Sequence, residues 1–267
     1  MATKKAATKK TDSDGGIELD LRFENLTFCV VGMTPYICNA LKGKSIEDLL
    51  YPPKKKRTDA DKAEHLKHDP IREFWQSIYT SDDGPTYIVT KGGAWGNALR
   101  AVAKDTPGAS KAEIGRKTFV KAGWVPIYGK PELLMSNVRQ AGMQRTPDVR
   151  TRAIIPEWAA EVTVTYEASL LNQKTVISLF AAAGYLNGMG DWRSEKGDGS
   201  YGMFEVREPN DPDFKRIVKY GGREAQIAAM NAACPHDDFS AKSCSWFYEE
   251  VERRGDTKKL WTPPKVA

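Results

Sequence analysis

From Trp158 to Tyr166 every second residue is apolar: Trp158, Ala160, Val162, Val164 and Tyr166 alternate with Glu161, Thr163 and Thr165 behind Glu157. A period of two puts the first set on one face of a pleated strand and the second set on the other, so a half-buried β-strand is predicted here. Asn172 follows, a residue suited to cap a helix, and Val176, Ile177, Phe180 and Ala183 or Gly184 then recur at helical spacing. A strand feeding directly into an amphipathic helix needs a sheet for both to cover, which narrows the fold to a mixed α and β class.

The same patterns recur elsewhere. Ile17, Leu19, Leu21 and Phe23 alternate with polar residues, then Leu26, Phe28 and Val30 continue on the opposite parity. A bulge near Glu24 and Asn25 is the expected cause. A short helix is predicted over Pro70 to Tyr79, a strand over Thr86 to Val89 and a helix between Gly93 and Lys104 that carries Trp95, Leu99 and Val102. Residues 117–128 suggest a bent strand or hairpin, and Met203 to Val206 a last strand. The order is that of a ferredoxin-like βαββαβ sheet with its helices on one face, an α+β fold. We therefore expect a basic tail without order at 1–16, a core over 17–208 and a helical extension over 209–267, with candidate helices at 222–233 and 244–254. The polar stretch at about 43–69, with Pro52, Pro53 and the run Lys54 to Arg57, reads as an inserted lobe.

Composition excludes several functions. No stretch approaches the roughly 18 apolar residues of a membrane span, and the Lys-rich start lacks the apolar block of a secretion signal. A cytoplasmic protein is the expectation. The three histidines, His65, His68 and His236, stand near no evident nucleophile or metal-ligand set, and Cys29, Cys38, Cys234 and Cys244 form no C-x-x-C pair. Paired carboxylates at Asp82-Asp83 and Asp237-Asp238 sit in turn-like sequence. Neither enzymatic catalysis, a metal nor a cofactor is expected.

Basic residues gather instead in loops, on a chain of 40 Lys and Arg against 35 Asp and Glu. The loop Lys91 to Gly96 opens a helix, so its backbone N–H groups, with Lys91, Trp95 and Arg100, are candidates for a phosphate site; it lacks the ending of a nucleotide P-loop. Between 136 and 155, Arg139, Arg145, Arg150 and Arg152 surround the single acid Asp148, with Pro147 and Pro156 breaking regular structure. An extended arginine loop is expected, either tracking a sugar-phosphate backbone or pairing with carboxylates of another protein. The glycine-rich stretch 184–202 holds Trp192, Arg193 and Lys196, a combination suited to close approach, stacking and charge.

Three blocks carry a resemblance to a family of phage and prophage proteins: Val31-Gly32-Met33-Thr34-Pro35-Tyr36-Ile37; Arg139 to Trp158 with its Arg-x-Arg and Pro-Glu-Trp; and Ala183-Gly184 through Gly190-Asp191-Trp192-Arg193 to Phe204. The element order also resembles the RAMP superfamily of RNA-binding CRISPR backbone subunits. That resemblance implies an RRM-like core that assembles side by side on single-stranded DNA or RNA, with the insertion as a projecting lobe. Because Glu161, Thr163 and Thr165 form the polar face of their strand, binding through loops rather than through the sheet is expected. The other readings are a structural or defence-inhibiting interaction protein, and a RAMP-type RNA endonuclease using Tyr185 or Tyr201.

Overall fold

The computed structural model describes residues 21–40, 50, 66, 68–139, 146–196 and 199–264. The tail 1–16 and most of the stretch 43–69 lie outside them. In chain order the strands are β1 (Phe23–Gly32), β2 (Tyr36–Ile37), β3 (Tyr79–Thr80), β4 (Ile88–Lys91), β5 (Thr118–Phe119), β6 (Trp124–Tyr128), β7 (Glu132–Arg139), β8 (Pro147–Ile155), β9 (Ala159–Glu167) and β10 (Phe204–Arg207). The helices are α1 (Pro70–Gln76), α2 (Gly92–Val102), α3 (Lys111–Lys117), α4 (Gln173–Leu186), α5 (Pro212–Tyr220), α6 (Arg223–Ala232) and α7 (Asp238–Arg253). The class is α+β.

The alternating stretch is β9, the centre of a seven-stranded sheet in the order β10-β1-β9-β6-β4-β3, with β5 also on β9. Every ladder is antiparallel. Along β1 the register on β9 runs without interruption from Phe23↔Glu167 to Val31↔Ala159, so the expected bulge at Glu24 and Asn25 is absent. The change of apolar parity has another cause: both faces accept apolar side chains at this end. Leu26, Phe28 and Val30 point to the helices, while Phe23 lies on the other face with its ring 5.7 Å from that of Phe119.

Helices α2 and α4 cover the inner face. Trp95, Leu99 and Val102 meet Val176, Leu179 and Phe180 over Phe28, Val162, Val164 and Ile127, and Phe28 stacks on Phe180 at 4.2 Å. As expected, Asn172 caps α4, its side chain accepting from the Lys174 N–H. Among the described helices, α5 lies on the outer face, where Phe214 and Ile217 close over Cys29 and Ala159. Helices on one face alone was therefore an incomplete expectation.

A second sheet, β2-β8-β7, shares the main core through Leu133, Met135, Ala153 and Ile155. Here the predicted arginine loop is corrected: β7 and β8 form a regular antiparallel hairpin from Glu132↔Ile154 to Arg139↔Pro147. Pro147 is tolerated because it is the first residue of its strand. Side chains and a loop carbonyl take up backbone N–H groups of β8 where the two-residue β2 does not reach, and of the edge strand β7. On β8, Ser77 Oγ accepts from the Ala153 N–H at 2.8 Å and the Glu73 carboxylate from the Thr151 N–H at 3.1 Å. On β7, Cys234 O accepts from Leu133 N–H at 2.8 Å and Ser240 Oγ from Met135 N–H at 2.9 Å.

The C-terminal segment is thus no appended tail. Gln226 of α6, fully buried, accepts from the Tyr87 and Ile88 N–H groups at 2.9 Å each and donates to Ile127 O and Gly129 O at 2.7 and 3.0 Å. One side chain satisfies four backbone groups around β4 and β6. Among the described residues no helix is long and apolar enough to cross a membrane.

Candidate nucleic-acid interface

The glycine-rich loop lies across the free face of the second sheet. Asp191 N–H donates to Ile37 O at 3.0 Å, Gly202 N–H to Pro35 O at 2.8 Å and Met189 N–H to Gly202 O at 2.9 Å. Gly202 has φ 69°, and a Cβ there would stand 1.7 Å from Met189 O; at Gly190, φ 83°, it would stand 2.4 Å from Ile37 O. These glycines permit contact with the chain's own backbone, which corrects their expected service to a phosphate chain. Trp192 is corrected likewise. Its ring, 6.1 Å from that of Tyr201, covers Ile37, Leu134 and Ile154 and is no open stacking platform.

The same loop meets the arginines of the hairpin. Leu134 pairs with Arg152 and Ser136 with Arg150, so Arg150, Arg152 and Ile154 share the face that the loop overlies. Arg152 is largely buried and ion-paired with Asp191. Burial first, and the neighbouring Arg150 second, lower its pKa to about 10. Arg150 itself is exposed, as is Arg139 at the end of β7, and neither has an ion-pair partner among the described residues. Arg193 is turned to its own loop: Nε and Nη2 donate to Glu195 at 3.0 and 2.7 Å, and Nη1 to Gly190 O at 3.1 Å. Arg145 and the side chain of Lys196 lie outside the described residues.

The loop before α2 is not part of this face. Trp95 is a core residue with no exposure, 5.5 to 6.4 Å from the rings of Phe204, Phe180 and Trp158, which removes it from the binding set. Arg100 packs across Gly115 of α3, with Nη1 donating to Asn97 at 3.3 Å. Gly92 is required by the Ala122 carbonyl, 1.8 Å from where its Cβ would be. Lys91 alone keeps an exposed place, with its ammonium 4.8 Å from the centre of the Tyr79 ring.

Beside Tyr79 stands Trp124, which sequence reasoning missed. It is 48% exposed, its ring lies 5.3 Å from that of Tyr79, and it pairs across β6 and β4 with Lys91. The signal was the parity of Trp124-Val125-Pro126-Ile127: Val125 and Ile127 are buried, so Trp124 must face away from the helices.

His68 also differs from expectation. No acidic partner was foreseen, yet Nδ1 meets Glu73 at 3.0 Å and Nε2 meets Asp148 at 3.1 Å, linking the start of α1 to the hairpin. His236 meets Glu132 at 2.6 Å. Among the described residues no group of three or more His, Cys, Asp or Glu is arranged to hold a metal ion. Tyr185 donates to Glu205 at 2.9 Å, and that bond raises its pKa, opposite to what a tyrosine base requires. Tyr201 is packed under Trp192. Comparison with protein-family models and with curated proteins finds no match to this chain.

Proposed function

We propose that this chain is a ferredoxin-like, single-stranded nucleic-acid-binding protein that assembles along its ligand and grips the phosphate backbone with the β7–β8 hairpin. Support for the fold assignment comes from the order β10-β1-β9-β6, which a βαββαβ path generates when α2 and α4 are the two crossover helices. On this assignment β3 and β4 extend the sheet beyond β6, and the hairpin occupies the connection between β6 and β9. The kinship with RAMP-type backbone subunits belongs to the same proposal.

One observation carries the binding function: Arg150 stands exposed beside Arg152 on one strand face, while Asp191 is taken by Arg152 and the carboxylates of Asp148 and Glu132 on the same face meet His68 and His236. Two guanidinium groups at adjacent positions of one face repel each other, and an anion docked on Arg150 relieves that repulsion. Arg offers a forked donor pattern that fits phosphate. Arg139, exposed nearer the hairpin tip, extends the track.

Fluorescence anisotropy of labelled oligo-dT and oligo-rU across a salt series tests the proposal. The wild type should lose affinity steeply as salt rises, and Arg139→Ala/Arg150→Ala should bind more weakly, with a log–log salt slope shallower by about 2. Equal slopes for the two proteins would remove the hairpin from the interface. Assembly is read separately, as a bound mass that grows stepwise with oligonucleotide length.

A further inference from the structure

The outer face of the seven-stranded sheet holds a second group of residues that the hairpin does not use. Direct strand pairs put Tyr79 opposite Val89, Val89 opposite Pro126 and Lys91 opposite Trp124, so Tyr79, Lys91 and Trp124 lie on one face. The parity of β6 puts that face away from the helices, because Val125 and Ile127 are the buried residues between. Across β9 the face continues through Thr163, bonded to Thr27 at 2.9 Å with both exposed, to the ring pair of Phe23 and Phe119. Lys121 stands 6.0 Å from the Phe119 ring centre.

A tryptophan held half exposed on a strand, with only the Tyr79 ring 5.3 Å away and Lys91 opposite it, leaves much of its apolar ring in water. The cover that α5 gives the sheet ends at Cys29, Ala159 and Tyr128. The exposed Glu161, beside Cys29 and Tyr128, marks that end as acidic. Toward Trp124 and Phe119 the exposed charges on the face are instead the ammonium groups of Lys91 and Lys121, since the Glu167 carboxylate opposite Phe23 is buried and accepts from the Arg22 and Leu170 N–H groups. Aromatic rings interleaved with cations fit a ligand that alternates planar bases with phosphates. An apolar protein surface would have to bury both lysines.

We infer that this outer face is a base-stacking platform for single-stranded nucleic acid, with Trp124 and Tyr79 receiving bases and Lys91 holding a phosphate beside them. The ligand class rests on the proposed function, but no residue of the hairpin takes part, so the two surfaces can be tested apart. The platform stacks bases and the hairpin holds backbone. Together they give the strand two lines of contact.

The test uses the full chain with Trp246→Phe as the parent, since Trp246, 64% exposed on α7, would otherwise contribute to the emission. Oligo-dT or oligo-rU should quench the tryptophan fluorescence of the parent. Trp124→Ala should remove that quench and weaken binding about 5- to 100-fold. Lys91→Gln should weaken binding less and make its salt dependence shallower. Circular dichroism confirms that each variant is folded, which the exposure of Trp124 favours. If folded Trp124→Ala and Tyr79→Ala bind as the parent does, the platform is overturned whatever the hairpin does. If Trp124→Ala weakens binding and Arg139→Ala/Arg150→Ala does not, the platform stands and the hairpin loses its role. A parent that binds neither oligonucleotide at low salt overturns both.

Discussion

At the scale of single residues, Gln226 bears an unusual share of the structure. An isolated buried polar side chain weakens a core, but here all four of its hydrogen bonds go to backbone groups, those of Tyr87, Ile88, Ile127 and Gly129. Gln226→Ala removes all four bonds at once, and a loss of about 3 kcal/mol or more is expected in urea unfolding. Cys38 supplies a pH-dependent term. Burial pushes its thiol up to about 12, against about 8.5 for an exposed thiol. The folded state therefore favours the neutral form, so the contribution is intact below about pH 8.5 and declines by about 1.4 kcal/mol per unit as pH rises toward 12. Urea midpoints at pH 8 and pH 10 should diverge in the wild type and diverge less in Cys38→Ala. A thiol-alkylating reagent should reach exposed Cys234 first and buried Cys29 and Cys38 only on unfolding.

At the scale of elements, the β7–β8 hairpin depends on side chains that end its ladders. Ser77 and Ser240, both buried, each accept one edge N–H. Ser77→Ala/Ser240→Ala leaves one donor unsatisfied on each edge, and about 2 to 5 kcal/mol of stability should be lost, with the hairpin amides exchanging hydrogen faster than those of β9. The elements themselves were largely legible. The Trp158 to Tyr166 alternation and the Asn172 cap carry local physics, and both appear where expected. The hairpin was not legible because Pro147 and four arginines resemble loop sequence, while the inward residues that make it a sheet, Leu133 and Met135 against Ala153 and Ile155, find their partners only in three dimensions. The site fared similarly. Exposed Arg139, Arg150 and Lys91 could be read from charge, but a sequence does not say whether the carbonyl near Gly202 belongs to a ligand or to Met189. Nor does it say that Asp191 will claim Arg152, or that Trp124 stays half exposed.

At the scale of the molecule, one hydrophobic core runs through both sheets, from Phe28 and Phe180 to Leu133 and Met135, with Met230 and Trp261 from the C-terminal segment packed into it. A chain ended before Pro209 keeps every strand yet loses Gln226, Ser240 and the Cys234 carbonyl. It should be insoluble or bind a hydrophobic dye, and the full chain should do neither. From its sequence alone the extension resembles an appendage. Helices α5 to α7 are amphipathic and locally self-sufficient in pattern, and only the fold shows what their buried faces complete.

The first strand has consequences for how the protein is made. β1 leaves the ribosome well before its two ladder partners, β9 and β10, which begin at Ala159 and Phe204, and the side chain that joins β4 to β6 is residue 226. Such distant closures cost chain entropy before any contact repays it, so the sheet closes only after the chain has been made past Gln226. Until then an apolar edge strand has no neighbour. Crowded polysomes translating it would hold several such edges side by side, and an early stop codon would release one permanently.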